Sequence, residues 1–326
     1  MLEIRRYRVE DKPRCVELLQ QGHDSKFTQA RFDWLHHKNI QAPSDIALAV
    51  DGKEVAGFYA ALKKTAIIDG KRYVLARDID PVVNPSHRGQ GIFTRLLDFA
   101  LENFTDIDFF YNFANQASSP GFIKRGWKRI GPLRDNICQT GFDRYFSREF
   151  VVYAGSFARC LRKHNSKISE ISIDDLEKYT NLIPVQPEAK IWVERSIPYL
   201  QWRYKQNPMH HYRIFEYSEG SLVKSLCFTR YIAEKRHLLI LDLVPFEGSQ
   251  YILTHYLTPF KKEFQQVAIY LWHAIPKSML HCFVTNPTNK NIGQNFLVRK
   301  FPGKDVPDSI FDLNNWYVTR GDSEVF

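Results

Sequence analysis

The sequence predicts an α/β fold, of the α+β kind with a mixed sheet, used twice in tandem along 326 residues. Three observations carry that expectation. An apolar run over 73–83 reads as a strand that enters an Arg-Gly-Gln-Gly loop and then a helix over 91–104, with Ile92, Leu96, Phe99 and Ala100 on one face. Two Asp-Gly turns, Asp51-Gly52 and Asp69-Gly70, join strand-forming runs before it. The stretch Phe32-Asp33-Trp34-Leu35-His36-His37-Lys38-Asn39 is echoed by Leu200-Gln201-Trp202-Arg203-Tyr204-Lys205-Gln206-Asn207, and a hairpin-like pair follows each copy.

The elements follow in order. Residues 2–8 read as a strand and 10–21 as a helix that Gly22 stops. Thr28 caps a second helix through Phe32, Trp34 and Leu35. Residues 46–50 and 55–61 flank the first Asp-Gly turn, and 108–114 reads as a further strand. Ser118 or Ser119 caps a short helix that Gly126 ends, and 127–137 is a last strand. Residues 1–141 therefore read as one domain and 142–187 as a linker with helical content at 153–162 and 172–182. Residues 188–326 repeat the plan: a hairpin over 212–231, strands over 238–244 and 267–273, and helices over 249–262 and 279–283. The paired tryptophans, Trp34 and Trp202, read as core anchors in both copies.

The strand–loop–helix order has a physical use. The first amides of a helix lack intrahelical partners and lie at the positive end of its dipole. Gly89 and Gly91 leave the loop without side chains, so its N–H groups can close round an anion, and Arg88 adds a fork of donors suited to phosphate. The loop reads as a diphosphate cradle or, failing that, as a plain strand-to-helix turn. A dinucleotide fingerprint would need a third glycine near Thr94, and a nucleotide-hydrolase loop would need Gly-Lys-Ser/Thr; neither is present. In the second copy the corresponding segment is Phe246-Glu247-Gly248-Ser249-Gln250, where Glu247 would repel a diphosphate. One cofactor site is expected, in the first half.

The segment Val83-Asn84-Pro85-Ser86-His87-Arg88-Gly89-Gln90-Gly91-Ile92 resembles the acetyl-coenzyme A signature of the GNAT N-acetyltransferase superfamily, Gln/Arg-x-x-Gly-x-Gly/Ala. Phe93 departs from it, since Gly or Ala usually follows. Gly91-Ile92-Phe93-Thr94 is similar to a variant found in a branch with an extra C-terminal domain. So are the block from Asn115 to Trp127 and the ending Trp316-Tyr317-Val318-Thr319-Arg320-Gly321-Asp322-Ser323. The resemblance implies tandem GNAT-like folds, acetyl-CoA as donor and an amine as acceptor. It implies cofactor contacts from Val82, Val83, Arg88, Gly89, Gln90, Gly91, Ile92, Phe93 and Asn115. A backbone N–H at Val82 or Val83 would meet the thioester carbonyl. The family's usual acid, a tyrosine four residues before the glycine matched by Gly126, is Phe122 here and cannot donate a proton. Tyr111 is a substitute, or the thiolate leaves without a side-chain acid.

The amine must lose its proton before attack, so a base is needed. Asp78 and Asp80 lie two apart on the strand leading to the loop, hence on one face, where two carboxylates would hold an ammonium and accept its proton. The resemblance adds that an acid at the position of Asp80 touches the substrate amine in several GNAT branches. The other reading pairs one aspartate with Arg77 or places it as a strand cap. His36-His37 and His210-His211 have no acidic partner at ligand spacing and read as packing or exposed residues; no metal is expected.

Composition bounds the rest. Five scattered cysteines, with no Cys-x-x-Cys pair, argue against a disulfide framework and for a reducing cytoplasm. No apolar run is long enough to span a bilayer, and the N-terminus has no signal core, so membrane insertion is not expected. The net charge of +9 divides about evenly between the halves, with no basic run, which speaks against a nucleic-acid face and for acidic small ligands. The partner expected is a small-molecule amine, with the chain a monomer or homodimer. Two-domain chains of this build resemble proteins of bacterial surface-polysaccharide synthesis, which suggests an amino sugar, free or nucleotide-linked. Two other readings stay open: a non-catalytic acyl-CoA-binding regulator or scaffold, and an aminoacyl transferase needing a groove for charged tRNA.

Overall fold

The strands and helices of the computed structural model run, in chain order, β1 (Leu2–Arg6), α1 (Lys12–Gly22), α2 (Gln29–Phe32), β2 (Asp45–Asp51), β3 (Glu54–Ile68), β4 (Lys71–Val83), α3 (Ile92–Asn103), β5 (Phe109–Ala114), α4 (Ser119–Lys124) and β6 (Lys128–Gln139). There follow β7 (Ser166–Ile171), β8 (Ile191–Val193), α5 (Ile197–Leu200), β9 (Arg213–Glu219), β10 (Leu222–Ile232), β11 (His237–Pro245), β12 (Ala268–Trp272), β13 (Asn291–Lys300) and β14 (Trp316–Tyr317). The structure describes residues 1–23, 25–139, 166–182, 184, 189–235, 237–246, 256, 260, 268–272 and 291–323. The helices expected over 153–162 and 279–283, most of that over 249–262, and the segment Glu247-Gly248-Ser249-Gln250 lie outside these residues, as do the expected domain boundaries.

Two units emerge, neither contiguous in sequence. The first comprises Met1–Pro132, Gln206–Met209 and Gly293–Leu313; the second comprises Leu133–Lys205, His210–Ile292 and Asn314–Phe326.

In the first unit β1 to β4 form an antiparallel meander. β5 joins β4 in parallel, and β13 closes antiparallel on β5 with Asn295 opposite Ala114 and Lys300 opposite Phe109. The turn between β3 and β4 is Asp69-Gly70, with φ +46° and +80°, the two positive angles a tight hairpin wants. α3 lies on one face because Ile92, Leu96, Leu97 and Ala100 recur at helical spacing and are all buried. They pack in one core with Ala47, Ala49, Tyr59, Ala76, Phe110 and Trp127. Gly57 lets the helix approach: a Cβ there would lie 2.7 Å from Ile92 Cγ2. On the other face Phe32 meets Phe58 with ring centroids 6.1 Å apart.

The second unit repeats this succession. β7, β9, β10 and β11 are antiparallel neighbours, β12 is parallel to β11, and the Asp135–Gln139 end of β6 is antiparallel to β12. The repeated tryptophan stretches share a backbone feature as well. In each, a four-residue α-turn capped by a hydroxyl (Thr28 Oγ1 from Arg31 N at 3.1 Å, Ser196 Oγ from Tyr199 N at 3.3 Å) runs straight into a turn of π-helix, 33–37 and 201–205. Trp34 and Trp202 are buried in their own units, at 2% and 0% exposure. That placement accounts for the repeated tryptophan as packing.

Candidate active site

β4 and β5 pair over only three positions, Leu75 with Phe109, Ala76 with Phe110 and Arg77 with Tyr111. Beyond Arg77, β4 has a strand neighbour on the β3 side alone among the described residues, so the two parallel strands splay. The splayed segment of β4 holds Asp78, Asp80, Val82 and Val83. Within it the register with β3 slips: Phe58 faces Val82 and Ala60 faces Ile79, so Asp80 and Pro81 together oppose Tyr59. This is a β-bulge, and Asp80 occupies it with φ +53°, in the left-handed region.

The bulge separates the two aspartates that a regular strand would put on one face. Asp78 faces the core under α3. It is 2% exposed, accepts a hydrogen bond from Tyr59 Oη, and accepts another from Trp127 Nε1 at 2.9 Å. Burial pushes its carboxyl up to about 7, against the pull of those two donors and of Arg299 and Arg77. So Asp78 joins β3, β4 and the chain after α4, and its carboxylate is held by those donors in the core. Asp80 acts electrostatically on His36, and its Oδ2 is buried with no hydrogen-bond partner among the described residues.

The loop after β4 begins with a turn at Pro85–His87, tied by Asn84 Oδ1, which accepts from Ser86 N at 3.1 Å and Ser86 Oγ at 2.8 Å. Arg88, Gly89, Gln90 and Gly91 are all exposed. Gly89 and Gly91 have φ +80° and +71°, and a Cβ at either would meet nothing within 4 Å. Gly91 is the N-cap of the twelve-residue α3, its carbonyl accepting from Arg95 N at 3.1 Å. The amides of Ile92, Phe93 and Thr94 therefore head the helix without intrahelical acceptors. Glycines in the left-handed conformation, free amides, a positive helix end and an exposed guanidinium make a cradle that fits a diphosphate.

Phe93 and Phe122 explain one another. Their ring centroids are 5.3 Å apart, edge to face. Phe122 is fully buried and also packs on Trp127 at 5.2 Å. The close approach of α4 needs Gly121, where a Cβ would sit 2.5 Å from Phe93 Cε1. A hydroxyl at position 122 would enter an aromatic cluster. Tyr111 is buried on β5, and its Oη accepts from Lys64 Nζ at 3.1 Å. Asn115 is exposed and ties the turn that leads into α4: its Oδ1 accepts from Ser118 N at 2.9 Å, and its carbonyl accepts from Ser119 Oγ at 2.7 Å.

A family model described as acetyltransferase (GNAT) domain matches residues 3–130. The GNAT acetyltransferase match is thus to residues 3–130, within the first unit. The fold agrees over more than that segment. A probable N-acyltransferase from Enterococcus faecalis V583 is similar with a TM-score of 0.68 at 11% identity, over 92% of this chain and 73% of that one. A GCN5-related N-acetyltransferase from Anabaena variabilis ATCC 29413 gives 0.65 at 13% identity, again over 92% and 73%. One from Kribbella flavida gives 0.61 at 14%, over 92% and 71%. Likeness at these identities shows shared fold. No curated protein matches the chain. The loop from Arg88 to Gly91 with the head of α3 has the geometry to hold a diphosphate such as that of acetyl-CoA. No helix among the described residues is long and apolar enough to cross a membrane.

Two features of the site escaped the sequence reading. One is the bulge, whose signal was Asp80-Pro81, a turn-prone dipeptide within a strand. The other is the state of His36, read above as packing or exposed: it is fully buried, with both ring nitrogens lacking hydrogen-bond partners among the described residues. By contrast His37 bonds Asp33 Oδ1 at 2.8 Å and Tyr7 Oη at 3.2 Å.

Proposed function

We propose that the first unit transfers the acetyl group of acetyl-CoA to the primary amine of a small molecule, an amino sugar, free or nucleotide-linked, being the acceptor class favoured. The observation that carries the reading is the splay of β4 from β5 immediately before the glycine cradle. Among the described residues it leaves backbone of β4 without a neighbouring strand on that side, beside the glycine loop. The net charge of +9 supports an acidic acceptor such as a nucleotide-linked sugar.

Bound acetyl-CoA supplies an acetyl thioester whose thiolate is a good leaving group. Arg88 and the amides at the head of α3 hold the diphosphate. The unpaired edge of β4 at Val82 and Val83 presents backbone N–H to the carbonyl oxygen as it gains charge. Gln90, Ile92 and Phe93 set the loop and the first turn of α3, Ile92 by its packing under Gly57 and Phe93 against Gly121. Asn115 fixes the start of α4 beside them. Asp80 takes the proton from the acceptor's ammonium, freeing the nitrogen lone pair for attack. Asp78 acts through the core and touches no substrate. With Phe122 sealed between Phe93 and Trp127, the departing thiolate takes its proton from solvent. The second unit, lacking a cradle in its sequence, we read as a degenerate GNAT-like domain.

The test is thiol release from acetyl-CoA against a panel of amines: 2-amino sugars, nucleotide-linked amino sugars, aminoglycosides, polyamines and lysine peptides. Release with an amino sugar above all others, abolished by Asp80→Asn, is expected. Acetyl-CoA binding with no amine-dependent release would make the protein a carrier or regulator. Turnover best with lysine peptides would discard the sugar.

A further inference from the structure

His36 sits in the π-helical turn at 33–37 with its ring between Phe32, 4.6 Å away centroid to centroid, and Phe58 at 5.6 Å. A buried imidazole always carries at least one N–H, and leaving that donor unsatisfied among phenyl rings is costly. Both nitrogens lack a partner among the described residues, and so does the buried Oδ2 of Asp80. The Asp80 carboxylate acts electrostatically on the His36 ring, so the two lie near one another although they are not hydrogen-bonded. Phe58, on which His36 packs, is the residue opposite Val82, and the Asp80 bulge lies between Val82 and Ile79. The charged or titratable groups acting on His36 are Asp80 from β4 together with Arg31 and His37 from its own segment. One donor and one carboxylate oxygen, each buried and unsatisfied, complement each other. The backbone under Asp80 departs from regular geometry, a bulge in the left-handed region. Departures of this kind gather at functional sites.

We propose that His36 is a positioning residue for the acetyl transfer, donating an N–H to Asp80 Oδ2 and so holding the carboxylate for the acceptor. The inference rests on Asp80 being the base. The acceptor's ammonium gives one proton to the Asp80 carboxylate, producing a free amine and a neutral carboxyl; His36 gains and loses none. Hydrogen bonds of this sort are often long in the free enzyme and shorten as the acceptor enters. Burial pushes the imidazole down to about 4, so the ring is neutral and keeps one N–H at working pH.

Two measurements on the full-length chain test this. With 15N-labelled histidine, the His36 ring signals, assigned by their loss in His36→Phe, should show one neutral tautomer whose N–H shift moves on Asp80→Asn. Signals that ignore Asp80→Asn would overturn the proposal without any acceptor being known. Kinetics with the amine identified by thiol release then separate positioning from packing. Phenylalanine fills the aromatic site but donates nothing, whereas glutamine keeps a donor. His36→Phe should fold as well as the parent and lose about tenfold or more in kcat with little change in KM for acetyl-CoA, and His36→Gln should recover part of that loss. His36→Phe matching or exceeding His36→Gln would mark the histidine as filler. Full activity in Asp80→Asn would instead remove the base itself, a different failure from that of His36.

Discussion

Asp78 shows how one buried carboxylate couples the site to stability. Its folded carboxyl titrates near 7 and its ordinary value is 3.8, so between those pH values the folded chain binds the extra proton. The stability it contributes is fully present below pH 3.8 and is lost as pH rises through 7, by roughly 4 kcal/mol at most. Asp78→Asn removes that slope. Denaturation midpoints of parent and variant, taken from pH 5 to 8, should therefore move in favour of the variant as pH rises. A constant difference would mean that Asp78 does not titrate in this window. His36 works with the opposite sign, since its folded value lies below its ordinary 6.5 and its cost appears as pH falls from 6.5 toward 4. Asp78 is satisfied by two donors, whereas the His36 ring has no hydrogen-bond partner among the described residues.

At the scale of elements, α3 and the loop before it make the proposed diphosphate cradle. Gly57 under Ile92 and Gly121 under Phe93 let helix, sheet and α4 close on one another. Gly89 and Gly91 face open space, so they serve the conformation of the loop, and a side chain at Gly91 must enter the volume that a diphosphate would fill. Acetyl-CoA at about a hundred times its dissociation constant should stabilise the parent by about 2.7 kcal/mol. Arg88→Ala combined with Gly91→Trp should lose that gain while keeping the ligand-free melting temperature within a few degrees. If the double variant still responds in full, the cofactor lies elsewhere.

For the molecule as a whole, the ending that resembles the two-domain branch is a lock within the second unit. Arg195 is 1% exposed and reaches Asp242 Oδ1 at 3.1 Å, Asp322 Oδ1 at 2.8 Å and Thr319 Oγ1 at 3.1 Å. Tyr204 Oη also donates to Asp242, at 2.5 Å. Arg203 donates to the carbonyls of Gly321 at 3.0 Å and Ser323 at 2.8 Å. Gly321 has no room for a side chain, since a Cβ would fall 2.0 Å from Asp242 Oδ2. Arg195→Met leaves two buried carboxylates without their cation and should cost about 3–5 kcal/mol in chemical denaturation. A loss under about 1 kcal/mol would show that the tail is held by its apolar contacts alone.

The strand, glycine loop and helix were legible because each is a local matter. Period-two and period-3.6 patterns, left-handed glycines and a helix start depend on neighbours a few residues apart. The tandem plan was legible for the same reason, from two copies of one short stretch. What tertiary structure decided depends on register and on partners far along the chain. The Asp80 bulge split a carboxylate pair that alternation alone would have kept together. Burial between β3 and Trp127 made Asp78 a core residue. Phe122 and Phe93, each a departure when read singly, proved to be one aromatic contact over Gly121. And β13, nearly 180 residues after β5 in sequence, closes the first unit because pairing depends on strand edges and not on chain distance.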